Sequence, residues 1–575
     1  MAAVIAAGAM AVAPVAGTIN FGAMTAMAEI TATGTVSIGG LNTGDTVTLY
    51  KIVEATTDAS GQWNGWGAVD AVNSAVSIAT TGKDLSVNVG SLMGIINGGT
   101  VAVAQAATPV TTTTFTSNNL APGVYVAVIT PGEASNAATE LRIYNPAFLS
   151  VSYDGTAATG GSITNIKEAK FETSKISNTD TTTALTDKAY AKSSTTSLTK
   201  TIVNKDTDGT TDGTQAGVKG EDLQKGDTSD FQITTAFPDY RGFTNLDNIT
   251  FRIDDNQDAQ FGQPKDIKVW VGEGESKTQL QSGFTIKYGS FTQDGENAYA
   301  GTLSANTPAS DADEDFSITF DKATLMAHPA TAVTVTYSSV LVNPAIYSDT
   351  NDNNDNNVRL TYTNKNSTDT DTSTNHKDDK TTDYSFKINV KKVDSTNTTQ
   401  VLSGAKFKIE RQMMGTGNKL TNYVVASGDD DHVVMSDEET TETDGIVNFT
   451  GLDEGYYKIT ETQAPTYTDA DGNRTTYSQN TEAFYIKVVP TWNGDHSSIT
   501  GYTINYVDED GQTKTQSSGS LAKDDTSGEY TLTVKDTPVN GLPSTGARSA
   551  LILTIAGIAV MVTVMAASRR RKISE

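Results

Sequence analysis

The chain has 575 residues and a formal net charge of −27, from 41 basic and 68 acidic residues. Such an acidic balance argues against nucleic-acid binding, which needs clustered lysine and arginine, and it suits a protein that stays soluble outside a cell. The length allows roughly three or four domains of ordinary size, and the absence of cysteine excludes disulfides as a source of strength.

The N-terminal segment predicts export. Residues 1–28 are small and apolar, and Ala26 and Ala28 occupy the −3 and −1 positions of a signal-peptidase site before Glu29. The charged start that such leaders have is missing, so either the true start codon lies elsewhere or the leader is unusual. A buried alanine-rich helix is the alternative, which several glycines would weaken.

Alternating apolar and polar residues divide the remaining chain into three blocks of predicted β-strands. The blocks cover residues 29–165, 196–364 and 383–538, with a connector at 166–195 and a linker at 365–382. We predict the linker because that segment contains no large apolar residue. Alternation with a period of two residues is what a sandwich with one buried face per sheet requires. We therefore predict an all-β chain of tandem β-sandwiches.

Residues 539–575 combine a short motif, an apolar run and a basic tail. The motif is Leu542, Pro543, Ser544, Thr545 and Gly546. The run 549–567 carries no charge and predicts a transmembrane helix, because about 20 apolar residues span a bilayer. The basic residues that follow would hold the tail on the cytoplasmic side. An ordinary single-pass membrane anchor is the alternative.

These three features together resemble the cell-wall sorting signal of Gram-positive surface proteins. The resemblance implies that a sortase cysteine attacks the carbonyl of Thr545 and displaces Gly546, and that an amine resolves the acyl-enzyme. The membrane segment would then be a transient anchor. The expected location is the cell wall, with the chain attached to peptidoglycan at the cell surface.

A further motif indicates which kind of surface protein this is. The segment YKITETQAP, Tyr457–Pro465, resembles the E-box of sortase-assembled pilins, and its flanking segments resemble their Cna B-type domains. The chain as a whole resembles a fimbrial subunit of the SpaA/FimA backbone type. The resemblance implies immunoglobulin-like (Cna-type) sandwiches: a signal segment, an N-terminal pilin domain, a middle D2 domain, a Cna B-type domain and a sorting signal.

The same resemblance implies a function and partners. The chain would be a structural subunit of a pilus that supports adhesion, polymerised covalently and anchored to peptidoglycan by pilus-class and housekeeping sortases. Its other partners would be further pilin subunits and a surface ligand that the sequence does not identify. A stand-alone wall-anchored adhesin and a minor pilin at the tip or base remain alternatives.

Domains of this family form an amide bond between a lysine and an asparagine or aspartate side chain. The reaction needs a neutral amine and a polarised carbonyl. Burial lowers the pKa of a lysine and raises that of a carboxylic acid, and a protonated Glu or Asp can then shuttle the proton. Contact between the partners supplies a high effective concentration. Such a crosslink would strengthen a protein without cysteines.

In the third block the resemblance places the nucleophile at Lys392, the catalytic acid at Glu461 and the acceptor at Asp536. Lys391 would point to the opposite face of the strand. The family usually has asparagine as acceptor, so Asp536 changes the leaving group from ammonia to water. A solvated salt bridge between Lys392 and Asp536, worth under about 1 kcal/mol, is the alternative.

In the middle block the resemblance places the nucleophile at Lys200, the acid at Asp255 and the acceptor at Asn356. Asn357 would face the opposite side, and the polar run before it leaves the register open. The alternative to this reactive set is a polar loop that leads into a strand, with Lys200 as an ordinary charged residue of an edge strand.

Polymerisation needs a lysine that attacks the acyl-enzyme of the next subunit. The family usually presents it in a YPKN-like motif, which this chain lacks. Its comparable segment carries Lys167, Lys170 and Lys175, of which we favour Lys167 as the pilus-linking residue. The missing motif leaves open a tip or base pilin joined by its C-terminus only.

Other chemistry has little support in the sequence. The four histidines have no metal-ligand spacing. The run DTNDNN begins like a calcium loop, but Asn354 replaces its glycine and Leu360 its bidentate glutamate. There is no G-x-S-x-G motif or P-loop. We therefore expect no metal, no cofactor and no enzyme activity.

Overall fold

The computed structural model describes most of the chain between residues 33 and 539. The described ranges are 33–57, 63–80, 84–132, 142–151, 172–176, 183–203, 217–240, 243, 249–291, 303–307, 315–348, 354–364, 374–428, 431–469, 471–472, 474–515 and 519–539. The chain divides into two compact units. One contains Met1–Ser194, Asp239–Leu246 and Asn364–Thr372, and the other contains Thr195–Pro238, Asp247–Thr363 and Ser373–Glu575.

The first unit is built from mostly antiparallel strands around apolar clusters, with parallel pairs between β1 and β13 and between β5 and β11. Its largest described sheet has the order β10-β8-β2-β3, with β6 also paired to β2. A short helix, α1 (Val89–Asn97), packs Leu92 and Met93 into the core, and the Asn88 side chain caps it by accepting from the Ser91 N–H. The strands are β1 (Ser37–Gly39), β2 (Thr46–Thr57), β3 (Trp63–Ala68), β4 (Val76–Ser77), β5 (Leu85–Val87), β6 (Val103–Pro109), β7 (Thr114–Thr116), β8 (Gly123–Thr130), β9 (Arg142–Tyr144), β10 (Ala147–Val151), β11 (Glu172–Ile176), β12 (Thr183–Ala184), β13 (Lys188–Tyr190) and β14 (Ser193–Thr195). A 3-10 turn spans Asp70–Val72.

The second unit begins with a sandwich that we name the middle domain. Its sheets have the orders β15-β17-β23-β19-β20 and β16-β25-β24-β18-β22-β21. The strands are β15 (Leu198–Ile202), β16 (Gly220–Asp222), β17 (Thr228–Ala236), β18 (Phe251–Gln257), β19 (Lys265–Val271), β20 (Thr278–Leu280), β21 (Phe284–Gly289), β22 (Asp315–Phe320), β23 (Ala332–Val340), β24 (Asn354–Thr363) and β25 (Thr374–Tyr384). A 3-10 turn spans Gly274–Ser276, and helix α2 spans Lys322–Ala327.

The same unit ends with a second sandwich, the C-terminal domain. Its main sheets have the orders β30-β26-β37-β36 and β28-β27-β31-β34-β35, with β29 paired to β27, and a small sheet has the order β32-β33-β38. The strands are β26 (Phe386–Asp394), β27 (Lys406–Met414), β28 (Leu420–Asn422), β29 (Ser436–Thr440), β30 (Ile446–Leu452), β31 (Gly455–Gln463), β32 (Thr466–Thr468), β33 (Arg474–Tyr477), β34 (Phe484–Trp492), β35 (Ile499–Val507), β36 (Gly519–Lys523), β37 (Tyr530–Asp536) and β38 (Pro538–Val539).

The all-β prediction is confirmed, and the alternation that carried it is visible in the burial of single strands. In β17 and β23 every second residue is buried, because successive side chains of a strand point to opposite faces. Within the described residues, no helix is long and apolar enough to cross a membrane. The predicted signal peptide (1–28) and transmembrane helix (549–567) both lie outside the described residues.

Two predicted connections are wrong in part. Parts of the predicted connector form the strands β11 to β14, of which β11 pairs with β5 and β13 pairs with β1 of the first unit. Residues 374–382 of the predicted linker belong to β25, and all of them pair with β24. The first seven residues of β25 are exposed or half-buried. A strand whose two faces both meet solvent needs no apolar residue, so its composition resembles that of a linker.

A buried charged contact joins the two sandwiches of the second unit. Arg411 of the C-terminal domain is 2% exposed; its Nη2 donates to Asp453 (2.8 Å), and its Nη1 lies 3.7 Å from Asp227 of the middle domain. Asp222 of the middle domain accepts from the backbone N–H of Glu454. Burial raises the pKa of Asp222 to about 8.

This raised pKa predicts how the stability of the second unit depends on pH. The folded state holds a proton on Asp222 that the unfolded state has lost above its ordinary pKa of about 4. Stability from this group is therefore full at low pH and falls as the pH rises towards 8. Asp222→Asn keeps an oxygen for the Glu454 N–H and never carries a charge. We expect the variant to melt at least about 3 °C above the unsubstituted chain at pH 9, and the difference to shrink towards pH 5.

Thermal unfolding of a soluble chain spanning residues 29–545, followed by circular dichroism at both pH values, measures this difference. The control is Asp437→Asn, because Asp437 lies in an exposed strand. A melting difference for Asp222→Asn that does not change with pH would contradict the assignment of the proton to Asp222.

Candidate crosslinking sites

In the middle domain, strand alternation brings the Lys200 side chain into the interior. Leu198, Lys200 and Ile202 of β15 are all buried, whereas Thr199 is exposed. Lys200 is 0% exposed, and its ammonium lies 5.2 Å from the ring centres of both Phe231 and Tyr337. A buried amine is not hydrated by bulk water, so the polar groups that it contacts determine whether it is protonated.

The three residues predicted for this site lie together. Lys200 Nζ donates to Asp255 Oδ2 (2.5 Å) and to Asn356 Oδ1 (2.6 Å). Lys200 comes from one sheet of the sandwich, whereas Asp255 on β18 and Asn356 on β24 come from the other. Asn356 is buried, and Asn357 is only half-buried on the opposite face. The register that the sequence left open therefore places Asn356 on the inside.

Burial and charge set the protonation of this site. Burial lowers the pKa of Lys200 to about 8, and the Asp255 carboxylate opposes this effect. Burial also raises the pKa of Asp255, although Lys200 opposes the shift. The two shifts favour the transfer of a proton from the ammonium to the carboxylate. The transfer produces the neutral amine and the neutral acid that amide formation requires.

Two further buried residues of this site escaped the sequence analysis. The Tyr337 hydroxyl on β23 lies 2.7 Å from Lys200 Nζ, and Asp383 on β25 is fully buried beside the site. Burial raises the pKa of Asp383 to about 8. The inward alternation of the segment AVTVTYSSV places Tyr337 on the inner face, but only the sheet register shows that it meets Lys200. Asp383 was missed because it follows a segment predicted to be a linker.

The C-terminal domain holds its own buried lysine. Lys392 of β26 is 0% exposed, and its Nζ donates to Glu461 Oε2 (2.9 Å) and to Asp536 Oδ1 (2.5 Å). Lys391 is half-buried on the other face. Strands β26 and β37 are parallel neighbours, and Lys392 lies opposite Val534, so Asp536 is only two residues along the adjacent strand. Glu461 reaches the pair from β31 in the other sheet.

One positive charge and two carboxyl groups share this second site. Burial raises the pKa of Glu461 to about 7 and raises the pKa of Asp536, and Lys392 opposes both shifts. Glu461 Oε1 and Asp536 Oδ2 are buried without a hydrogen-bond partner from the described residues. One of the two carboxyl groups therefore favours its protonated form near neutral pH, as proton transfer to an acceptor carbonyl would require.

The remaining predicted residues lie outside the described residues. These are the linking residue Lys167 and the motif residues Leu542, Pro543, Ser544, Thr545 and Gly546. Within the described part of the chain, no group of three histidine or acidic side chains could hold a metal ion.

The fold and these sites define a class of protein: tandem β-sandwiches, of which two each enclose a lysine, a carboxylic acid and a carbonyl acceptor. Three family models match successive parts of the chain. The T6 antigen Ig-like domain matches residues 31–177, the SpaA prealbumin-like fold domain matches residues 386–491, and the LPXTG cell wall anchor motif matches residues 535–575.

The chain therefore has the parts of a sortase-assembled pilin of the Gram-positive type, a structural subunit of a pilus that is anchored to the cell wall. The solved structures that match the chain are structural pilin proteins rather than enzymes. The matched families confirm the resemblance seen in the E-box and in the sorting signal. No curated protein sequence matches the chain.

Solved structures of other pilins have similar folds. The T6 backbone pilin of serotype M6 Streptococcus pyogenes is 20% identical, with 88% of this chain and 93% of that chain covered and a TM-score of 0.45. The major pilin SpaA of Corynebacterium diphtheriae is 15% identical, with 88% and 99% covered and a TM-score of 0.38. These values are too low to transfer the role of any residue to this chain.

Proposed function

We propose that both buried lysines react with their acceptors and that the chain is a backbone subunit of its pilus. Lys200 forms an amide with Asn356 and releases ammonia, and Lys392 forms an amide with Asp536 and releases water. The contact between each amine and its acceptor oxygen, 2.6 Å and 2.5 Å between fully or almost fully buried side chains, carries this proposal. Each reaction occurs once, within the chain itself, so no substrate is turned over.

The acids Asp255 and Glu461 have the same task in the two sites. Each accepts a hydrogen bond from its lysine, takes the proton of the ammonium and leaves a neutral nucleophile. Because all partners are held in contact by the packed sheets, the reaction has a high effective concentration. The carboxyl acceptor Asp536 reacts only when it is protonated, since a carboxylate resists attack by an amine. Its raised pKa supports that state.

The anchor motif supports a proposal for the sortase-catalysed steps of pilus assembly. A pilus-class sortase would cleave between Thr545 and Gly546 and transfer the Thr545 acyl group to a lysine of another subunit, for which we favour Lys167. A housekeeping sortase would finally transfer the acyl group to peptidoglycan. The finished fibre would support adhesion to a surface whose chemistry the described residues do not identify.

The masses of the chain and of single variants test the crosslinks. A soluble chain spanning residues 29–545 is expected to be lighter than its sequence mass by one ammonia and one water, about 17 and about 18 Da. In Asp255→Asn we expect the loss of ammonia to disappear and the loss of water to remain. In Glu461→Gln we expect the reverse, because each variant removes one proton acceptor. Lys391→Ala is the matched control for both losses. An intact chain at its full sequence mass would refute both crosslinks.

Polymer formation on cells that carry the native sortases tests the backbone role. Thr545→Ala is expected to abolish both polymer and wall attachment, since both use the same acyl group. Replacing Lys167, Lys170 and Lys175 together with alanine is expected to abolish polymer and to leave monomers on the wall. Immunoblots of wall extracts would measure the detergent-resistant ladder.

Two results of that experiment would contradict the proposal at different points. A ladder from the triple lysine variant would show that the linking amine lies elsewhere. A single wall-linked band from the unsubstituted chain would overturn the backbone role and favour a stand-alone adhesin or a minor pilin.

A further inference from the structure

The hydroxyl of Tyr337 lies at the centre of the middle-domain site. It donates to Asp255 Oδ1 (2.7 Å) and accepts from both Lys200 Nζ (2.7 Å) and Asn356 Nδ2 (2.7 Å). One oxygen thus touches the general acid, the attacking nitrogen and the leaving nitrogen. Because the side chain is 3% exposed, bulk water does not compete for these contacts.

The ring of Tyr337 is held firmly. It stacks on Phe231, with ring centres 5.1 Å apart, and meets Phe316 edge-on at 4.8 Å. Burial and the neighbouring Asp255 raise the pKa of Tyr337 well above its ordinary value, so the hydroxyl keeps its proton at neutral pH. A neutral hydroxyl can give one proton and receive another without a net change of charge.

Amide formation with Asn356 leaves one proton transfer that Asp255 is badly placed to make. The leaving nitrogen must gain a proton to depart as ammonia, but Asn356 Nδ2 donates to Tyr337 and, at 3.3 Å, to Gln257 Oε1. Asp255 Oδ2 instead contacts the attacking nitrogen. A group that contacts both nitrogens must therefore carry the proton from one to the other.

We propose that Tyr337 is a catalytic residue of the middle-domain reaction, relaying a proton from Lys200 Nζ to Asn356 Nδ2. This role rests on the proposed Lys200–Asn356 crosslink. First, Asp255 Oδ2 takes a proton from the Lys200 ammonium. The neutral amine then attacks Asn356 Cγ, the Nζ–Cγ bond forms, and the carbonyl electron pair moves to Oδ1.

The relay completes the reaction. The attacking nitrogen now carries an excess proton, and the leaving nitrogen has regained a lone pair that can accept a hydrogen bond. Tyr337 gives its hydroxyl proton to Nδ2 and takes one from Nζ. The Oδ1 electron pair returns, the Cγ–Nδ2 bond breaks, and ammonia leaves. The products are the amide, ammonia, protonated Asp255 and unchanged Tyr337, with no net change of charge.

Tyr337→Phe tests the relay, because it removes the hydroxyl and keeps the ring between Phe231 and Phe316. The matched control is Tyr362→Phe. Tyr362 is a fully buried tyrosine of the same domain, and its hydroxyl has no partner among the described residues. Removing either hydroxyl changes the packing little, but only Tyr337 contacts the reacting nitrogens.

The experiment uses the full chain, labelled by a short pulse in a sortase-free host and digested at several times of chase. The linked peptide that contains Lys200 and Asn356 is measured by its mass, about 17 Da below the sum of its parts. We expect Tyr337→Phe to form the crosslink at least about 100-fold more slowly, the lower range for loss of a general acid–base group. Tyr362→Phe should react at the unsubstituted rate, and the Lys392–Asp536 linkage should form normally in both variants.

Three other outcomes would contradict the relay. They differ in whether they also contradict the Lys200–Asn356 crosslink. If Tyr337→Phe crosslinks as fast as Tyr362→Phe, the relay is wrong and the crosslink stands. If the unsubstituted chain never links Lys200 to Asn356, the proposed function of this site fails as well. If Tyr337→Phe is digested by protease faster than Lys200→Ala, which also lacks the crosslink, the hydroxyl acts through folding rather than through proton transfer.

Discussion

The architecture of the second unit depends on the burial of two lysine amines. Moving an ammonium out of water costs several kcal/mol even after relaxation, and a packed core usually avoids that cost. Here strand alternation places Lys200 and Lys392 inside, each against a carboxylic acid and a carbonyl. In the proposed reaction, amide formation removes the lysine charge, so the unfavourable buried ion is present only before the bond forms.

The two sites solve the same chemical problem with different geometry. Lys200 lies in one sheet and Asn356 in the other, so their amide would tie the two layers of the middle sandwich together. Lys392 and Asp536 lie on adjacent parallel strands of one sheet, with the acid reaching across from the other layer. The middle bond would link β15, the first strand of its sandwich, to β24, the strand before the last, across 156 residues of sequence. The C-terminal bond would link β26 to β37, across 144 residues and close to the end of its sandwich. Tension along the chain would pass through each amide. The strands that lie between its two linked residues in the sequence would then bear no load.

The residues proposed for these sites could be chosen from the sequence more readily than the residues that surround them. The resemblance to the E-box and to its flanking segments indicates Lys392, Glu461 and Asp536, and the alternation of β15 and β24 separates Lys200 and Asn356 from their outward neighbours. Tyr337 and Asp383 could not be assigned, since their part in the site depends on which strands pair and in what register. The polar strand β25 resembled a linker for a similar reason: hydrogen bonds to β24 stabilise it, and its own residues give no apolar pattern. The Arg411 contact between sandwiches joins residues far apart in sequence, and no local motif indicates it.

The proposed function of both sites depends on whether the two lysines are covalently bonded, and the distance from each lysine nitrogen to its acceptor carbon decides this. A crystal structure of the soluble chain at high resolution would place Lys200 Nζ relative to Asn356 Cγ and Lys392 Nζ relative to Asp536 Cγ. We expect continuous density and a separation of about 1.3 Å at both positions, the length of an amide C–N bond. Separations of about 3 Å or more, with the amide nitrogen of Asn356 and both oxygens of Asp536 still in place, would show hydrogen-bonded pairs only and would rule out amide formation.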